Sequence, residues 1–179
     1  SLPMAGRAKR RSSAIRPVSR AFRQCRHQHA HVDLYDGTPL AQAVAKRLKA
    51  ELVTLGKTPA IPSELGGLVL IAPLAKVEGN GLWSEASERW LKDAFQLLRA
   101  CAPALRKNAG SVFATVSRLD GAFGLGALPQ DACPTSGALA GLAKTARLEW
   151  PEQRCKALDL DRAFGDVEAA AEAIVAELG

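Results

Sequence analysis

The stretch from Ser136 to Asp161, which reads SGALAGLAKTARLEWPEQRCKALDLD, constrains the fold of this chain more than any other. Its first part places Ala, Gly and Leu at helical spacing and predicts a helix over 136–150. Pro151 ends that helix, since proline cannot continue the hydrogen-bond ladder. An apolar strand over 154–160 follows at once, so the stretch is one helix-to-strand step of an α/β chain.

The same alternation predicts the rest of the fold. Residues 68–73, LVLIAP, form a continuous apolar run, which is typical of a strand buried on both faces of a parallel sheet. Strands that alternate with helices give an α/β fold with a doubly wound parallel sheet, a truncated Rossmann-like arrangement. Further strands are predicted at 31–34, 52–55 and 111–117, and further helices from Pro39, over 84–107 and over 166–178.

Three local features accompany these elements. Thr38 and Asp166 each stand just before a predicted helix, where capping side chains are expected. The glycine-rich segment 121–129 is expected to be a flexible connection with glycines at turn positions. Cys101 and Cys155 fall within apolar patterns, so both are predicted to be buried as free thiols.

Excess positive charge is confined to the amino-terminal tail. Eight of the 24 Lys and Arg residues lie in residues 1–30, which hold no acidic residue, whereas the other 16 are set against all 18 Asp and Glu residues. We interpret residues 1–30 as a basic linker or disordered arm and residues 31–179 as one Rossmann-like domain. The body gives no argument for nucleic-acid binding. No apolar run is long enough to span a membrane and no secretory signal is evident, so we expect a cytoplasmic protein.

One cluster near the tail offers metal-ligand side chains. Cys25, His27, His29 and His31 alternate along the chain, and thiolates and imidazoles are the usual zinc ligands. A structural zinc site needs a second ligand pair at finger-like spacing, and none follows. We therefore expect no physiological metal. The four cysteines of the chain show no CxxC spacing, which indicates reduced thiols.

The turn after the first strand departs from the pattern of a dinucleotide site. Such a site needs glycines that let the backbone approach a pyrophosphate at a helix N-terminus. Here Gly37 is followed directly by Thr38 and Pro39. Pro39 removes a backbone N–H donor, and the side chains would crowd the phosphates. We therefore predict that the turn formed by Gly37, Thr38 and Pro39 binds no cofactor.

Motifs for acid–base or nucleophilic catalysis are also missing from the sequence. No Y-x-x-x-K pair occurs, and Tyr35, the single tyrosine, lies in the first turn. The G-x-S-x-G, H-E-x-x-H and P-loop motifs are absent. Ser117 ends a predicted strand, where a hydroxyl could polarise a substrate. We favour a structural hydrogen bond from this hydroxyl to the backbone.

Three motifs in order resemble the short-chain dehydrogenase superfamily: GGLVLIAP at 66–73, SVFATVSRLDGAFG at 111–124 and GALAGLAKTARLEWPEQRCKALDLD at 137–161. More narrowly, they are similar to the structural, amino-terminal half of the ketoreductase region of type I polyketide synthases and polyunsaturated fatty acid synthases. The resemblance covers residues 32–179. In that family the structural half binds no cofactor, and a second Rossmann-like half carries the NADPH site and the catalytic residues.

The resemblance implies that the catalytic positions are degenerate. When the helix is laid on that of a catalytic short-chain dehydrogenase, Ala132 falls at the tyrosine, Ser136 at the lysine and Ser117 near the serine. Alanine has no proton to give, and serine cannot supply the cation that lowers a tyrosine pKa. The implied function is therefore that of a non-catalytic subdomain, with no catalytic, cofactor-binding or metal site of its own.

The resemblance also implies partners. The subdomain would stabilise and orient the catalytic half of an NADPH-dependent β-ketoacyl reductase in the same polypeptide. That half would bind NADP(H) and act on chains held by the acyl carrier protein of the synthase. An apolar docking surface would remain on the separate chain. A homodimer through that surface, or through a sheet edge, is an alternative.

Two other functions stay open. A divergent NAD(P)-dependent reductase would need an active site rebuilt near Ser117 and Asp120, and replacing Ser117 by alanine would abolish its turnover. A Rossmann-like regulator would bind nucleic acid through its Arg-rich arm with a salt-sensitive affinity. The sequence does not distinguish a polyketide from a fatty acid product.

Overall fold

The computed structural model describes residues 30–34, 38–55, 60–77 and 84–179. These residues form five strands, which are Ala30–Leu34 (β1), Glu51–Thr54 (β2), Gly67–Ile71 (β3), Val112–Ser117 (β4) and Arg154–Asp159 (β5). Four α-helices follow β1, β3, β4 and β5, namely Pro39–Leu48 (α1), Glu85–Lys107 (α2), Ala138–Glu149 (α3) and Val167–Leu178 (α4). No helix is described between β2 and β3. The predicted order of strands and helices is confirmed. Most of the tail, residues 1–29, lies outside the described residues, so its division from the domain stays a prediction.

The strands form one sheet in the order β2-β1-β3-β4-β5, and every pair is parallel. Helices α1 and α4 pack on one face, and α2 and α3 pack on the other. This is the doubly wound arrangement predicted from the sequence. Helix α1 connects β1 to β2 across one face of the sheet, and helix α2 connects β3 to β4 across the other face. The carboxyl ends of β1 and β3 therefore mark the switch point where such sheets bind ligands.

Two central strands carry the core. Every residue of β3 and β4 is buried. Val112, Ala114 and Val116 belong to the core beneath α1 and α4, whereas Phe113 belongs to the core beneath α2 and α3. The alternation follows from the period of two along a strand.

One thiol differs from its prediction. Cys101 on α2 is buried as expected, but Cys155 is only half-buried. Cys155 lies on β5, which is half-buried along its whole length because β4 is its single partner among the described strands. An apolar pattern in the sequence therefore did not distinguish a central strand from a border strand.

One of the two predicted helix-capping side chains makes the expected hydrogen bonds, and the other does not. Asp166 caps α4, since its Oδ1 accepts hydrogen bonds from Glu168 N at 3.0 Å and Ala169 N at 3.1 Å. Thr38 stands at the N-cap of α1, but its side chain makes no capping hydrogen bond. The backbone N–H of Ala41 donates instead to the carbonyl oxygen of Thr38 at 3.1 Å, so it is not free for the hydroxyl.

Helix α3 begins later than predicted. A 3₁₀ helix occupies Pro134–Gly137, and the α-helix starts at Ala138 rather than at Ser136. Pro134 has no N–H to donate and favours the first position of a helical segment. The helix ends as predicted before Pro151, where Trp150 N donates to Ala146 O at 2.8 Å.

Candidate functional site

Connecting segments meet at the carboxyl edge of the sheet, where the switch point lies. The segment after β3 contacts the segment after β4, because Cys133 N donates to Ala75 O at 3.3 Å and Val77 N donates to Asp131 O at 3.0 Å. The segment after β5 joins them through Arg162 N, which donates to Leu119 O at 3.0 Å. All three degenerate positions predicted from the sequence lie in or beside these segments.

Ser117 is buried at the end of β4. Its Oγ lies 2.7 Å from Asp159 Oδ1 and 3.2 Å from Leu158 O, and it donates to these acceptors on the neighbouring strand. The hydrogen bond to a backbone carbonyl that the sequence favoured is present, and a carboxylate contact accompanies it. The Ser117 hydroxyl therefore points toward β5 and is hydrogen-bonded to two residues of that strand.

Asp159 organises the start of the loop after β4. Besides Ser117, its carboxylate accepts hydrogen bonds from Leu119 N at 3.0 Å and from Phe123 N at 2.9 Å. Phe123 has a φ of 58°, which is the left-handed region that side chains other than Asn and Asp seldom adopt. The hydrogen bond to Asp159 offsets part of the cost of that backbone conformation.

Asp120 organises the rest of the same loop. Its Oδ1 accepts from Ala122 N at 2.9 Å and Gly124 N at 2.7 Å, and its Oδ2 accepts from Gly126 N at 2.7 Å. The hydrogen bonds from Gly124, Ala122 and Gly126 hold the pKa of the Asp120 carboxyl below its ordinary value, although desolvation opposes them. The sequence predicted a flexible connection here, whereas the structure shows a loop wrapped around one carboxylate.

Two of the loop glycines are required by this geometry. Gly124 has a φ of 80°, a backbone conformation that is unfavourable for any residue with a Cβ atom. A Cβ atom on Gly126 would lie 2.8 Å from Asp120 Oδ2, closer than van der Waals contact allows. The glycines predicted at turn positions therefore allow the loop backbone to fold around the Asp120 carboxylate.

A guanidinium pair lies beside these carboxylates. Arg118 is buried, and its Nε has no hydrogen-bond acceptor. Burial lowers the pKa of Arg118, the positive charge of Arg162 lowers it further, and Asp159 opposes both. Arg162 Nη1 donates to Ala75 O at 2.9 Å and so ties the segment after β5 to the segment after β3.

The other two degenerate positions are close to the end of β4. Ser136 lies in the 3₁₀ helix, and its Oγ accepts a hydrogen bond from Arg118 N at 3.4 Å. Ala132 is buried and forms an antiparallel bridge with Lys76. Ser136 therefore lies beside the end of β4, and Ala132 lies in the segment that leads to the 3₁₀ helix. The assignment of Ser117, Ala132 and Ser136 to catalytic positions stays a prediction.

The described start of α1 offers few free backbone N–H donors. Pro39 occupies the first helical position and has no N–H, and Ala41 N already donates to Thr38 O. Gly37 lies outside the described residues, as does Tyr35. A phosphate at a helix N-terminus is bound by free backbone N–H groups, and neither Pro39 nor Ala41 offers one here.

The sequence reasoning missed a chain of hydroxyl and thiol groups. Ser84 Oγ lies 2.9 Å from Ser87 Oγ, and Cys133 Sγ lies 3.4 Å from Ser87 Oγ and 2.9 Å from Thr135 Oγ1. Burial would raise the pKa of the Cys133 thiol, but the hydrogen bonds with Ser87 and Thr135 outweigh it and lower that pKa. No local sequence pattern could reveal this network of hydroxyl and thiol groups, because Ser87 and Cys133 are 46 residues apart in sequence.

The described part of the chain contains no group of three or more His, Cys, Asp and Glu side chains that could hold a metal ion. Cys25, His27 and His29 of the candidate cluster lie outside it. None of its helices is long and apolar enough to cross a membrane.

Comparison with known proteins bears on the fold. No protein-family model matches the chain, and no curated protein matches it. A short chain dehydrogenase from Shigella flexneri 2a, solved with NADP, is 12% identical with a TM-score of 0.57, over 84% of this chain and 91% of that one. The NADH-dependent reductase A1-R′, solved with NAD, is 14% identical with a TM-score of 0.57, over 83% of this chain and 88% of that one.

Two further structures are similar to a lesser degree. A short chain dehydrogenase from Salmonella enterica serovar Typhi is 13% identical with a TM-score of 0.54, over 80% of this chain and 81% of that one. Thermoplasma acidophilum aldohexose dehydrogenase, in ligand-free form, is 14% identical with a TM-score of 0.49, over 72% of this chain, and the match spans 65% of its own length. At these identities the likeness shows the fold alone. The chain has the truncated Rossmann-like fold of short-chain dehydrogenases, as predicted.

Proposed function

We propose that this chain is the non-catalytic structural subdomain of an NADPH-dependent β-ketoacyl reductase within a polyketide or polyunsaturated fatty acid synthase. One observation carries the proposal. The fold is that of short-chain dehydrogenases, yet Ala132 and Ser136 stand at the positions that resemblance assigns to the catalytic tyrosine and lysine. Ala132 has no proton to give to the ketone, and Ser136 cannot carry the positive charge that lowers the pKa of a catalytic tyrosine.

The hydroxyl and the carboxylate that a rebuilt active site would use are already engaged. Ser117 Oγ donates to Asp159, and the Asp120 carboxylate accepts three backbone N–H groups. A divergent reductase rebuilt around Ser117 and Asp120 would have to break these contacts before either group could meet a substrate. The geometry therefore favours the structural subdomain over that alternative.

The cofactor would belong to the partner half. Pro39 and the engaged N–H of Ala41 support a subdomain that binds no NADP(H) at the start of α1. When bound in the catalytic half, NADPH supplies the hydride for reduction of the keto group. The residues of this chain would act only by holding that half in position.

Docking of the partner half would use apolar side chains of the outer layer. Leu148 on α3 is 78% exposed, and Phe95 on α2 is 44% exposed on the same side of the sheet. The outer border of β5 is a second surface, since no described strand pairs with it and its N–H and C=O groups can accept another strand. The catalytic half in the same polypeptide is the proposed partner, with the acyl carrier protein supplying its substrate and a homodimer as the alternative.

A reconstitution assay tests the proposal. NADPH oxidation with acetoacetyl-CoA is measured for this chain alone, for the separately produced catalytic half, and for the mixture. We expect no turnover by this chain alone, and we expect its addition to raise both the turnover and the thermal midpoint of the catalytic half. The reason is that the docking surfaces of the two halves are buried only in the mixture.

Turnover by this chain alone would contradict the proposal. Ser117→Ala and Ser111→Ala then decide what replaces it. Ser111 is equally buried and donates from Oγ to Leu105 O at 2.9 Å at the opposite end of β4, so it controls for stability. Loss of turnover in Ser117→Ala but not in Ser111→Ala would establish the divergent reductase. A mixture that behaves as the separate halves would refute the scaffolding role.

A further inference from the structure

Two arginines meet at the carboxyl ends of β4 and β5, and we name them the Arg118–Arg162 pair. Arg118 directly follows β4, and Arg162 lies shortly after β5. Arg162 Nη1 lies 3.5 Å from the carbonyl oxygen of Arg118 and donates to Ala75 O at 2.9 Å. The pair is therefore fixed at the edge of the sheet where folds of this type bind ligands.

The two positive charges of the pair act on each other. Burial lowers the pKa of Arg118 most, the charge of Arg162 lowers it further, and Asp159 opposes both. An arginine stays protonated in a protein, so both charges persist. Like charges repel more strongly where water is partly excluded, and an anion held between them would relieve that repulsion.

The guanidinium of Arg118 has no acceptor among the described residues. Arg118 is 9% exposed, and its Nε is closed off from solvent without a hydrogen bond. Nη1 and Nη2 donate to no described oxygen either, but they are not closed off. A bound ion can therefore reach the two terminal nitrogens, although it cannot reach Nε.

Arg162 also has donors to spare. It donates to the described residues through Nη1 alone, which leaves its Nε and Nη2 for another acceptor. Its side chain is half-buried, in contrast to the nearly buried Arg118. The pair thus presents several N–H groups from two neighbouring guanidinium groups.

The nearby carboxylates do not neutralise the pair. Neither Arg118 nor Arg162 forms an ion pair with a carboxylate of the described residues. Asp159 already accepts hydrogen bonds from the end of β4 and from the loop after it. Asp131, which feels the charge of Arg162, pairs with Lys76 at 2.7 Å. A nearly buried cation without a hydrogen-bonded partner costs free energy, so a partner from solution would stabilise it.

We propose that the Arg118–Arg162 pair binds a phosphate-type oxyanion, whose oxygens accept from Nη1 and Nη2 of Arg118 and from Nε and Nη2 of Arg162. Guanidinium groups match the oxygens of phosphate in shape and charge, and two of them suit a doubly charged ion. Free phosphate and a phosphate monoester share this chemistry. The site is independent of the proposed scaffolding function, since it uses none of the docking surfaces, and a failed reconstitution would leave it untouched.

The test is an NMR titration of the full chain labelled with ¹⁵N, using sodium phosphate as the probe at constant pH. Sodium chloride at matched ionic strength is the control. We expect phosphate to move the Arg118 Nε–H peak, which burial protects from exchange, and the Arg162 amide peak along one saturable curve. Chloride should give no saturable shift.

Methyl phosphate, titrated in the same way, distinguishes the two sources of the ligand. Binding equal to that of phosphate would assign the site to phosphoryl groups carried on larger molecules. Binding of inorganic phosphate alone would assign it to the free ion. Either result supports an oxyanion site, because both require a saturable response of the Arg118 peak.

Three variants locate the site. Arg118→Gln identifies the Nε–H peak by its loss and should abolish the response of the Arg162 amide. Arg162→Gln removes one cation and should weaken phosphate binding about tenfold or more, as for hydrogen bonds to a charged group. Arg106→Gln is the matched control, since Arg106 is exposed in the last turn of α2, at the opposite edge of the sheet, and should bind phosphate normally.

Three results would overturn the proposal. The first is a well-dispersed spectrum in which phosphate leaves the Arg118 peak unmoved. The second is an equal response to chloride, or an equal loss of affinity in Arg106→Gln and Arg162→Gln, which would indicate general screening of charge. The third is unchanged binding in Arg162→Gln, which decides against the site even if Arg118→Gln fails to fold.

Discussion

The interior of β3 and β4 and the loop that follows β4 differ in what holds them together. In the two strands every residue is buried, and apolar side chains pack against helices on both faces. In the loop, the carboxylates of Asp120 and Asp159 accept five hydrogen bonds from backbone N–H groups and one from the Ser117 hydroxyl. The two strands are thus held by apolar burial, whereas the loop is held by hydrogen bonds to two carboxylates.

Truncation of a core side chain should give the largest effect. Phe113 is fully buried on β4, and its ring lies 6.4 Å from that of Trp150. We expect Phe113→Ala to lower the free energy of unfolding by about 3–5 kcal/mol, because it removes apolar contacts and leaves a cavity. Urea denaturation measures it. Phe95→Ala, at a half-exposed position on α2, is the control and should cost far less; equal losses would break the comparison.

Loss of the Asp159 carboxylate should come next. Asp159→Asn puts an amide where Ser117 Oγ, Leu119 N and Phe123 N now donate, so at least one donor is left without an acceptor. We expect a loss of about 1–3 kcal/mol in urea denaturation. Asp161→Asn is the control, since that carboxylate is exposed and accepts a hydrogen bond from Ala163 N at 2.8 Å. An unchanged stability in Asp159→Asn would show that the loop does not depend on this carboxylate.

Two glycine substitutions should act in opposite directions. Gly124→Ala forces a Cβ atom into the left-handed region and should cost about 1–2 kcal/mol. Gly141 lies within α3 with open space around the position of a Cβ atom, so Gly141→Ala should stabilise the protein by roughly 0.5–1 kcal/mol. Thermal unfolding of both variants checks the signs. Destabilisation by Gly141→Ala as well would contradict the open space that surrounds this position of α3.

Acid should weaken the loop through Asp120. Its pKa is lowered in the folded protein by hydrogen bonds from the loop backbone, so its contribution is present above the unfolded value of ~3.9 and is lost as the pH falls through the folded value. Between pH 7 and pH 3 the wild type should therefore lose more stability than Asp120→Asn. Urea denaturation at both pH values measures the difference. A parallel loss in both proteins would contradict this role.

The sequence predicted the framework because its signals are local. The continuous apolar run at 68–73 placed the buried strand β3, and Asp166 before an apolar helical pattern placed the start of α4. The position of Pro151 fixed the end of α3. Each of these features depends on residues within one turn or one strand.

The polar edge could not be predicted because its contacts are distant in sequence. Asp159 meets Phe123 across 36 residues, and Cys133 meets Ser87 across 46. The glycines at 124 and 126 were visible, but the carboxylate that they serve was not identified, because nothing local shows which way Asp120 points. The prediction that Cys155 is buried was wrong for the same reason. Its strand, β5, lies at the border of the sheet, and the order of strands depends on contacts that are distant in sequence.

The central proposal is that this chain, which has the fold of short-chain dehydrogenases, acts as a non-catalytic subdomain that binds no cofactor. Isothermal titration of NADPH into the purified 179-residue chain tests it most directly. The account predicts no binding heat up to millimolar cofactor, because Pro39 and the engaged N–H of Ala41 leave too few donors for the pyrophosphate. Saturable binding with a micromolar dissociation constant would contradict the claim.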